Sequence, residues 1–240
     1  MYNDKSFLGI IPARGGSKGL RNKNILPIAG KPLIAWTIEQ ALSSKYLDKV
    51  IVNTDSIEIT DISKKYGADV PFLRPNDLAT DEARMIDVVL YAIEQLARDG
   101  YSYDSVMLLQ PTSPLRTVTD IDNAIELLST KNAGAVVSVC EVEHHPYWSN
   151  ILPPDKCMRD FLRPEVRNKN RQQLPVFYRL NGAIYLAYSS YLKEHRDFIG
   201  DRTYAYIMSK ERSVDIDSEL DFKLAELLLM QTDKTHGKEY

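Results

Sequence analysis

Short apolar runs alternate with stretches of helical periodicity through most of the chain. The apolar runs predict strands at residues 7–11, 49–53, 105–109 and 135–142. The periodic stretches predict helices at residues 33–42, 56–66, 86–96 and 119–128. Strands that are apolar throughout, rather than at alternate positions, are typical of a parallel sheet covered on both faces. The pattern therefore predicts an α/β fold with a doubly wound, mostly parallel sheet.

The pattern breaks at residues 144–180. Prolines interrupt this stretch at Pro146, Pro153, Pro154, Pro164 and Pro175. Basic residues accumulate in it at Arg159, Arg163, Arg167, Lys169 and Arg171. We interpret residues 144–180 as an arm, either a subunit contact or a lid, inserted into a single domain of residues 1–240. Beyond the arm, the sequence predicts strands at 182–187 and 214–216 and a helix from Ser218 to residue 230.

Composition excludes several classes of protein. A formal net charge of −3 over 240 residues argues against a nucleic-acid-binding protein, which usually carries a basic face. No apolar run is long enough to span a membrane, and the first residues do not resemble a signal peptide. Cys140 and Cys157 are the only cysteines, so we expect free thiols in a cytoplasmic protein. The four histidines show no spacing typical of a metal site.

A glycine-rich basic loop follows the first predicted strand. Residues 11–19 read Ile-Pro-Ala-Arg-Gly-Gly-Ser-Lys-Gly, and no Asp or Glu occurs between Ser6 and Ile38. The basic residues of this stretch are Arg14, Lys18, Arg21, Lys23 and Lys31. Glycines let backbone N–H groups approach an anion, and the cations supply countercharge, so the loop predicts a phosphate site. It contains neither G-x-x-x-x-G-K-[S/T] nor G-x-G-x-x-G, which argues against a P-loop NTPase or a dinucleotide oxidoreductase.

Together with further blocks in the same order, this loop resembles one family. The blocks are residues 52–55, 73–75, 109–116, 143–146, 171–175, 181–185 and 215–217. The chain resembles, over nearly its whole length, the CMP–sialic acid synthetases, or acylneuraminate cytidylyltransferases. The resemblance implies a Rossmann-like nucleotidyltransferase fold and a cytoplasmic enzyme of cell-surface polysaccharide biosynthesis.

The resemblance assigns one group of residues to the nucleotide CTP. These residues are Arg14, Gly15, Lys18, Lys23, Asn24 and Arg74. Arg14 and Lys18 would contact the phosphates and act in catalysis, although loop cations are often merely solvated. Arg74 would read the cytosine, and because Pro75 follows it, its backbone is expected to be extended and stiff. The alternative for Arg74 is an ordinary surface arginine.

Asp215 and Asp217 predict a metal site. Side chains two residues apart on a strand point to the same face, and two such carboxylates repel unless a cation lies between them. A hard ion with oxygen ligands, Mg²⁺ or Mn²⁺, suits a triphosphate substrate. The resemblance names both aspartates as metal ligands and gives Asp217 a catalytic role. The alternative is that one of them only supports the helix that begins near Ser218.

A third group of residues is assigned to an acidic nine-carbon sugar. By resemblance these residues are Gln110, Thr112, Arg171, Arg179, Tyr185 and Phe198. A guanidinium matches a carboxylate bidentately, which favours the two arginines as partners of the sugar carboxylate. In the family the arm reaches the active site of the other subunit, which implies a homodimer. The alternatives are a plain proline-rich turn at 110–114 and ordinary core aromatics at Tyr185 and Phe198.

The chain departs from the family pattern mainly at the sugar end. Arg84 and Met85 stand where serines are expected, Trp148 replaces a lysine, and Ile199 replaces an aromatic. A more apolar wall predicts an acceptor with fewer hydroxyls or an extra acyl or deoxy group, such as a legionaminic- or pseudaminic-type sugar rather than ordinary sialic acid. Arg21 stands where proline is common, without a change in the role of the loop.

The predicted activity is transfer of CMP from CTP to a nine-carbon acidic sugar, with release of pyrophosphate. Two alternatives stay open. The first is a cytidylyltransferase for an eight-carbon acidic sugar, which the arm and the Gln110 loop match less well. The second is a CTP-binding protein with a dead site, which the presence of the loop, Gln110 and both aspartates argues against.

Overall fold

The computed structural model describes residues 1–16 and 19–236. The strands are β1 (Phe7–Pro12), β2 (Pro27–Ile28), β3 (Lys31–Pro32), β4 (Lys49–Asn53), β5 (Ser105–Leu108), β6 (Ala135–Glu141), β7 (Tyr178–Tyr188) and β8 (Thr203–Met208). The α-helices are α1 (Leu33–Leu42), α2 (Ile57–Lys65), α3 (Met85–Arg98), α4 (Val118–Thr130), α5 (Ser189–His195) and α6 (Glu219–His236). Within these residues no helix combines the length and the apolar character needed to cross a membrane.

A six-stranded sheet with the order β4-β1-β5-β7-β6-β8 forms the centre of the fold. β1 pairs in parallel with β4 and β5, and β6 pairs in parallel with β8. β7 lies between β5 and β6 and runs antiparallel to both. The mostly parallel sheet predicted from the sequence is therefore confirmed, with one reversed strand inside it.

Both faces of the sheet are covered, as continuous apolar strands require. Alternate residues of β1 point to opposite faces, and all of them are buried. Phe7 and Ile11 pack in one core cluster with α1, α2 and α4. Leu8 and Ile10 pack in a second cluster with α3 and α5. The doubly wound arrangement places the carboxyl ends of β1 and β5 side by side, where a ligand is expected.

Helix ends follow local capping chemistry. Ser56 accepts a hydrogen bond from Ile59 N at 3.4 Å to begin α2, and Gly67, with φ of +90°, follows its end. Thr117 and Asp120 form a capping box at α4. At α6, Ser218 N donates to Asp221 Oδ2 at 2.8 Å, so the predicted helix start is confirmed.

Three details differ from the sequence prediction. The strand predicted at 214–216 is wrong: among the described residues this segment pairs with no strand, although Ile216 N donates to Thr112 O at 2.9 Å. β8 and α5 were not predicted. β7 begins at Tyr178, so the last residues of the 144–180 arm belong to the sheet. The rest of the arm contains short 3₁₀ turns at Pro146–Trp148, Pro164–Val166 and Arg171–Gln173.

Candidate active site

A cavity of about 450 Å³ lies at the carboxyl ends of β1 and β5. Its wall includes most of the residues predicted to bind nucleotide and metal, and two predicted to bind the sugar. These are Arg14, Lys23, Asn24, Arg74, Gln110, Thr112, Asp215 and Asp217. Lys18, which was predicted to bind phosphate, lies outside the described residues. The sheet topology therefore brings together side chains that are up to two hundred positions apart in the sequence.

Hydrogen bonds and one ion pair hold the described part of the first loop in place. Gly15 N donates to Asp55 Oδ1 at 2.9 Å, at the end of the neighbouring strand β4. Asn24 is buried, and its Nδ2 donates to Arg14 O at 3.1 Å. The Arg14 guanidinium forms an ion pair with Asp81. The loop thus presents its first cation from a backbone that is fixed on both sides.

Lys23 connects this loop to the aspartate segment. Its Nζ lies 3.1 Å from Asp217 Oδ1 and also donates to Ile216 O. A Cβ built on Gly19 would lie 2.7 Å from Asp217 O, so the glycine allows the loop to approach the segment closely. The glycine-rich basic loop and the predicted metal ligands therefore form one continuous wall.

Arg74 is buried, so the alternative of a surface arginine is wrong. Its Nε and Nη2 donate to Asn53 Oδ1 and Asn53 O, both at 2.6 Å, and its backbone N donates to Thr54 O at 2.7 Å. Burial lowers the pKa of the guanidinium to about 10, while the nearby Asp55 opposes this shift. Two hydrogen bonds to Asn53 thus fix the guanidinium of Arg74, and the residue also lines the cavity.

Asp215 and Asp217 both line the cavity but differ in environment. Asp215 Oδ1 is buried and has no hydrogen-bond partner among the described residues. Burial raises the pKa of Asp215, a hydrogen bond from Thr112 opposes this, and the charge of Asp217 raises the pKa further. The Asp217 side chain is 81% exposed. Both carboxylates line one cavity, although the strand geometry from which their pairing was predicted is absent from this described segment.

The loop that carries Gln110 and Thr112 is held by a buried arginine. Arg116 is 1% exposed, and its guanidinium donates to Ala183 O at 2.7 Å and to Thr37 Oγ1 at 2.9 Å. Burial lowers the pKa of Arg116, and the charge of Asp120 opposes that shift. In the sequence, Arg116 is the last residue of the block 109–116 and has no predicted role. The feature of the sequence that could have indicated this role is a single cation at the end of an otherwise uncharged turn.

The two arginines predicted to bind the sugar carboxylate do not line the cavity in the part of the chain that is described. Arg179 Nη2 and Nε contact the two carboxylate oxygens of Glu143 at 2.8 and 3.1 Å. These hydrogen bonds lower the pKa of Glu143 to about 2 and raise the pKa of Arg179. Arg171 is half-exposed, and its Nη2 lies 3.5 Å from Glu141 Oε1. Both arginines are therefore paired with acids at the base of the arm.

Tyr185 and Phe198 form an aromatic pair with ring centroids 5.6 Å apart. Phe198 is buried in the core cluster of α3 and α5, as the core alternative describes. Tyr185 is half-buried, and its pKa is raised by burial and then by the charge of Asp215. Neither ring lines the cavity among the described residues, so the sugar contacts expected of both stay a prediction.

Among the positions that depart from the family pattern at the sugar end, only one lies at the cavity within the described residues. Met85 lines it and is 37% exposed. Trp148 belongs to the arm, with its ring 5.9 Å from that of His145, and Ile199 is exposed after α5. The apolar wall predicted from three substitutions therefore consists of Met85 in this structure.

Comparison with known proteins identifies relatives of this chain. A family model described as Cytidylyltransferase matches residues 8–224. The N-acylneuraminate cytidylyltransferase of Escherichia coli O18:K1:H7 (strain RS218 / NMEC) is 43% identical over 222 residues, which cover 91% of this chain. The chain spans about half of that relative, namely 51% of its length. The CMP-N,N'-diacetyllegionaminic acid synthase of Legionella pneumophila is 37% identical, covering 93% of this chain and 96% of the relative.

One solved structure confirms the fold. The structure of CMP:2-keto-3-deoxy-manno-octonic acid synthetase complexed with CTP superposes with a TM-score of 0.71 at 15% identity. The match covers 95% of this chain and 99% of that one. At this level of identity the similarity shows the fold alone, so it does not favour an eight-carbon sugar for this chain.

Proposed function

This chain belongs to the cytidylyltransferase family, and from that premise we propose that it transfers CMP from CTP to a nine-carbon acidic sugar. The anomeric hydroxyl of the sugar would attack the α-phosphorus, and pyrophosphate would leave. The observation that carries the proposal is the convergence of the basic loop, Arg74 and the carboxylates Asp215 and Asp217 on one cavity. A cavity whose wall carries both cations and two carboxylates suits a nucleoside triphosphate with its counterion.

Each part of the nucleotide has a proposed partner. Arg14 and Lys18 bind the phosphates, and Gly15 offers a backbone that can come close to them. Lys23 and Asn24 continue this wall towards the nucleoside, and Arg74 reads the base. Charge-assisted hydrogen bonds of this kind contribute about 1.5–3 kcal/mol each. Transfer of a phosphoryl-type group depends mainly on positioning of the reactants and stabilisation of charge. A fixed cationic wall supplies both.

The carboxylates fit a divalent cation, Mg²⁺ or Mn²⁺. Asp215 Oδ1 is a buried oxygen that accepts no hydrogen bond from the described residues, and Asp217 offers a second hard oxygen donor nearby. No group of three His, Cys, Asp or Glu side chains suited to a metal occurs in the described part of the chain. Mg²⁺ is commonly held by one or two carboxylates together with substrate phosphates. When bound, the ion would neutralise charge on the triphosphate and the leaving pyrophosphate.

The acceptor is proposed to be a legionaminic- or pseudaminic-type sugar. Met85 places a thioether in the cavity wall where sialate-type sequences are expected to carry a serine, so the wall loses a hydrogen-bonding group. Gln110 and Thr112 remain as neutral groups for hydroxyls and amides. Ordinary sialic acid is the competing acceptor.

We also propose a homodimer, because the arginines expected to bind the sugar carboxylate do not line the cavity among the described residues. Arg171 and Arg179 lie at the base of the arm, in ion pairs with Glu141 and Glu143. In a dimer with shared sites, these arginines would approach the sugar carboxylate of the partner's cavity. We also propose a cytoplasmic location and a role in supplying CMP-sugar for cell-surface polysaccharide.

The test is a pyrophosphate-release assay with CTP, Mg²⁺ and a panel of acidic sugars. The panel contains N-acetylneuraminic, legionaminic- and pseudaminic-type acids and an eight-carbon acid. We expect release with a nine-carbon acid only, and less release when UTP or ATP replaces CTP. Preference for the eight-carbon acid would support the first alternative. Tight binding of CTP without pyrophosphate release from any sugar would support a dead nucleotide-binding site.

A further inference from the structure

Asn181 is the centre of a buried hydrogen-bond network beside the cavity. It is 1% exposed, and its Oδ1 accepts from Ser138 Oγ at 2.6 Å and from Ala183 N at 3.2 Å. Its Nδ2 donates to Ser213 Oγ at 2.9 Å. Ser138 and Ser213 are fully buried as well. Buried polar groups are retained only where they are paired, because an unpaired one costs the full price of desolvation.

The network joins the two segments that carry predicted substrate and metal groups. Ser213 lies two residues before Asp215, and its hydroxyl also donates to Ser209 O at 2.6 Å. In the loop of Gln110 and Thr112, Ser113 Oγ donates to Asn181 O at 3.3 Å. One residue of β7 therefore holds the aspartate segment through its side chain and the Gln110 loop through its carbonyl.

The backbone at Asn181 departs from regular pairing to reach both segments. In the pairing of β7 with β6, Val137 lies opposite Tyr185, but Val139 lies opposite Leu180. Residues 181–184 of β7 therefore lie opposite the single residue Ser138 and form a bulge. Bulges of this kind re-aim side chains and are common next to active sites. The Ser138 hydroxyl occupies the bulge and accepts from Ile184 N at 2.7 Å.

Gly182 lets two functional side chains meet at the bulge. Its φ is +74°, and a Cβ built there would lie 2.9 Å from Gln110 Oε1 and 3.3 Å from Asp215 Oδ2. Both side chains therefore pack against a bare Cα, in a conformation that favours glycine. Any other residue would displace one or both of them.

We propose that Asn181 is a positioning residue for this reaction and that Asn181 and Gly182 together set the relative placement of Asp215 and Gln110. The proposal rests on the proposed function for the identity of the reaction. Asp215 Oδ1 has no hydrogen bond to a described residue, and the carboxylate is hydrogen-bonded to Thr112, the neighbour of Ser113. Its placement therefore depends on the two segments that Asn181 holds. Asn181 acts through Ser213 and Ser113 and does not line the cavity among the described residues.

The test compares Asn181→Ala, Ser213→Ala and Gly182→Ala with the wild-type chain. A displacement of about 1 Å at a reacting group can lower turnover about 100-fold, so we expect kcat to fall by about 10- to 100-fold in each variant. KM for CTP should change little, because the nucleotide-binding wall follows β1 and β4. Mn²⁺ affinity in the presence of CTP, measured by electron paramagnetic resonance, should fall together with kcat.

Ser44→Ala is the matched control. Ser44 is also a buried serine, and its Oγ donates to Asp122 at 2.6 Å, away from the cavity. It should lose thermal stability but keep kcat and Mn²⁺ affinity. If Ser213→Ala and Asn181→Ala behave like Ser44→Ala, the positioning role is wrong while the proposed function stands. If Asn181→Ala does not fold, Ser213→Ala decides. If the wild type releases no pyrophosphate with any sugar, the proposed function fails, and Mn²⁺ affinity alone decides the positioning role.

Discussion

Arg74 in the cavity wall and the two arginines at the base of the arm are held in different ways. At the nucleotide end, Arg74 is 5% exposed and is fixed by two short hydrogen bonds to Asn53. At the base of the arm, Arg171 is half-exposed, and its contact with Glu141 is 3.5 Å long. Arg74 is held by a strand end and a main-chain carbonyl, although Arg14 and Lys23 of the same cavity are paired with the carboxylates Asp81 and Asp217. At the base of the arm, Arg171 and Arg179 are paired with carboxylates at the protein surface.

The difference suggests a division of roles. A cation held by buried neutral acceptors keeps its position and its full charge for a ligand, which suits a substrate part common to the whole family. A cation paired with a surface acid can exchange that partner at low cost, because surface ion pairs contribute little stability. We infer that Arg74 is preorganised, whereas the sugar contacts proposed for the arm would be completed only in the proposed dimer.

The largest effect is expected for Asp217→Asn. Loss of one of two carboxylate ligands removes charge that the proposed cation needs, so turnover should fall by more than about 100-fold. Stability should change little, because the Asp217 side chain is 81% exposed. Pyrophosphate release and thermal melting measure the two effects. The control is Glu219→Gln, which removes a nearby exposed carboxylate paired with Lys223. Near-normal turnover of Asp217→Asn would contradict the metal assignment.

Arg74→Lys should have the next largest effect, on nucleotide binding. Lysine is a point charge and cannot reproduce the fork that contacts Asn53 at two atoms while lining the cavity. Loss of one charge-assisted hydrogen bond between Arg74 and the base, worth about 1.5–3 kcal/mol, corresponds to an increase in KM for CTP of about 10- to 100-fold. Calorimetric titration with CTP checks binding directly. An unchanged affinity, with the variant folded, would show that Arg74 only supports the strand end.

The sequence marked residues that the structure brings to one cavity, because their signals are local. The glycines and cations from Arg14 to Lys23 lie in one short stretch, and the mostly parallel sheet follows from the apolar runs. Arg74 was assigned by the family resemblance, and Pro75 predicted its stiff backbone. These side chains reach one cavity because parallel strands end at one edge of a sheet, which is a general consequence of the fold.

The rest of the site depends on contacts between distant segments. The hydrogen bonds of Asn181 to Ser138 and Ser213 span 43 and 32 positions and leave no periodic signal. The segment 214–216 has strand composition, yet it runs outside the sheet, because β8 occupies the position beside β6. The composition of β8, with Tyr204, Tyr206 and Ile207, could have been recognised as strand-like.

Met85→Ser should change the choice of sugar with little effect on CTP. A serine in the cavity wall restores a hydrogen-bonding group, so kcat/KM should shift towards the more hydroxylated N-acetylneuraminic acid, by about 10-fold for one hydrogen bond of about 1.4 kcal/mol. Competition assays with two sugars measure the ratio. Ile199→Ser is the control, because this exposed residue does not line the cavity among the described residues. An equal shift in both variants would remove the specificity role of Met85.

The smallest effect is expected at the base of the arm, for Glu143→Gln. Arg179 lowers the pKa of Glu143 from 4.5 to about 2, so the folded state favours the charged carboxylate. The stabilisation is therefore fully present above about pH 4.5 and is lost as the pH falls towards 2. Because the Glu143 side chain is 48% exposed, solvent screening limits it to at most about 1 kcal/mol.

A double-mutant cycle of Glu143→Gln and Arg179→Met isolates this pair. The coupling free energy from urea unfolding should be positive at pH 7 and should decrease at pH 3, where part of Glu143 is protonated. The same coupling at both pH values would show that the carboxylate charge does not hold Arg179. A coupling well above about 1 kcal/mol at pH 7 would mean that the pair is rigid. Arg179 would then be preorganised in the same manner as Arg74, and the contrast between the two regions would disappear.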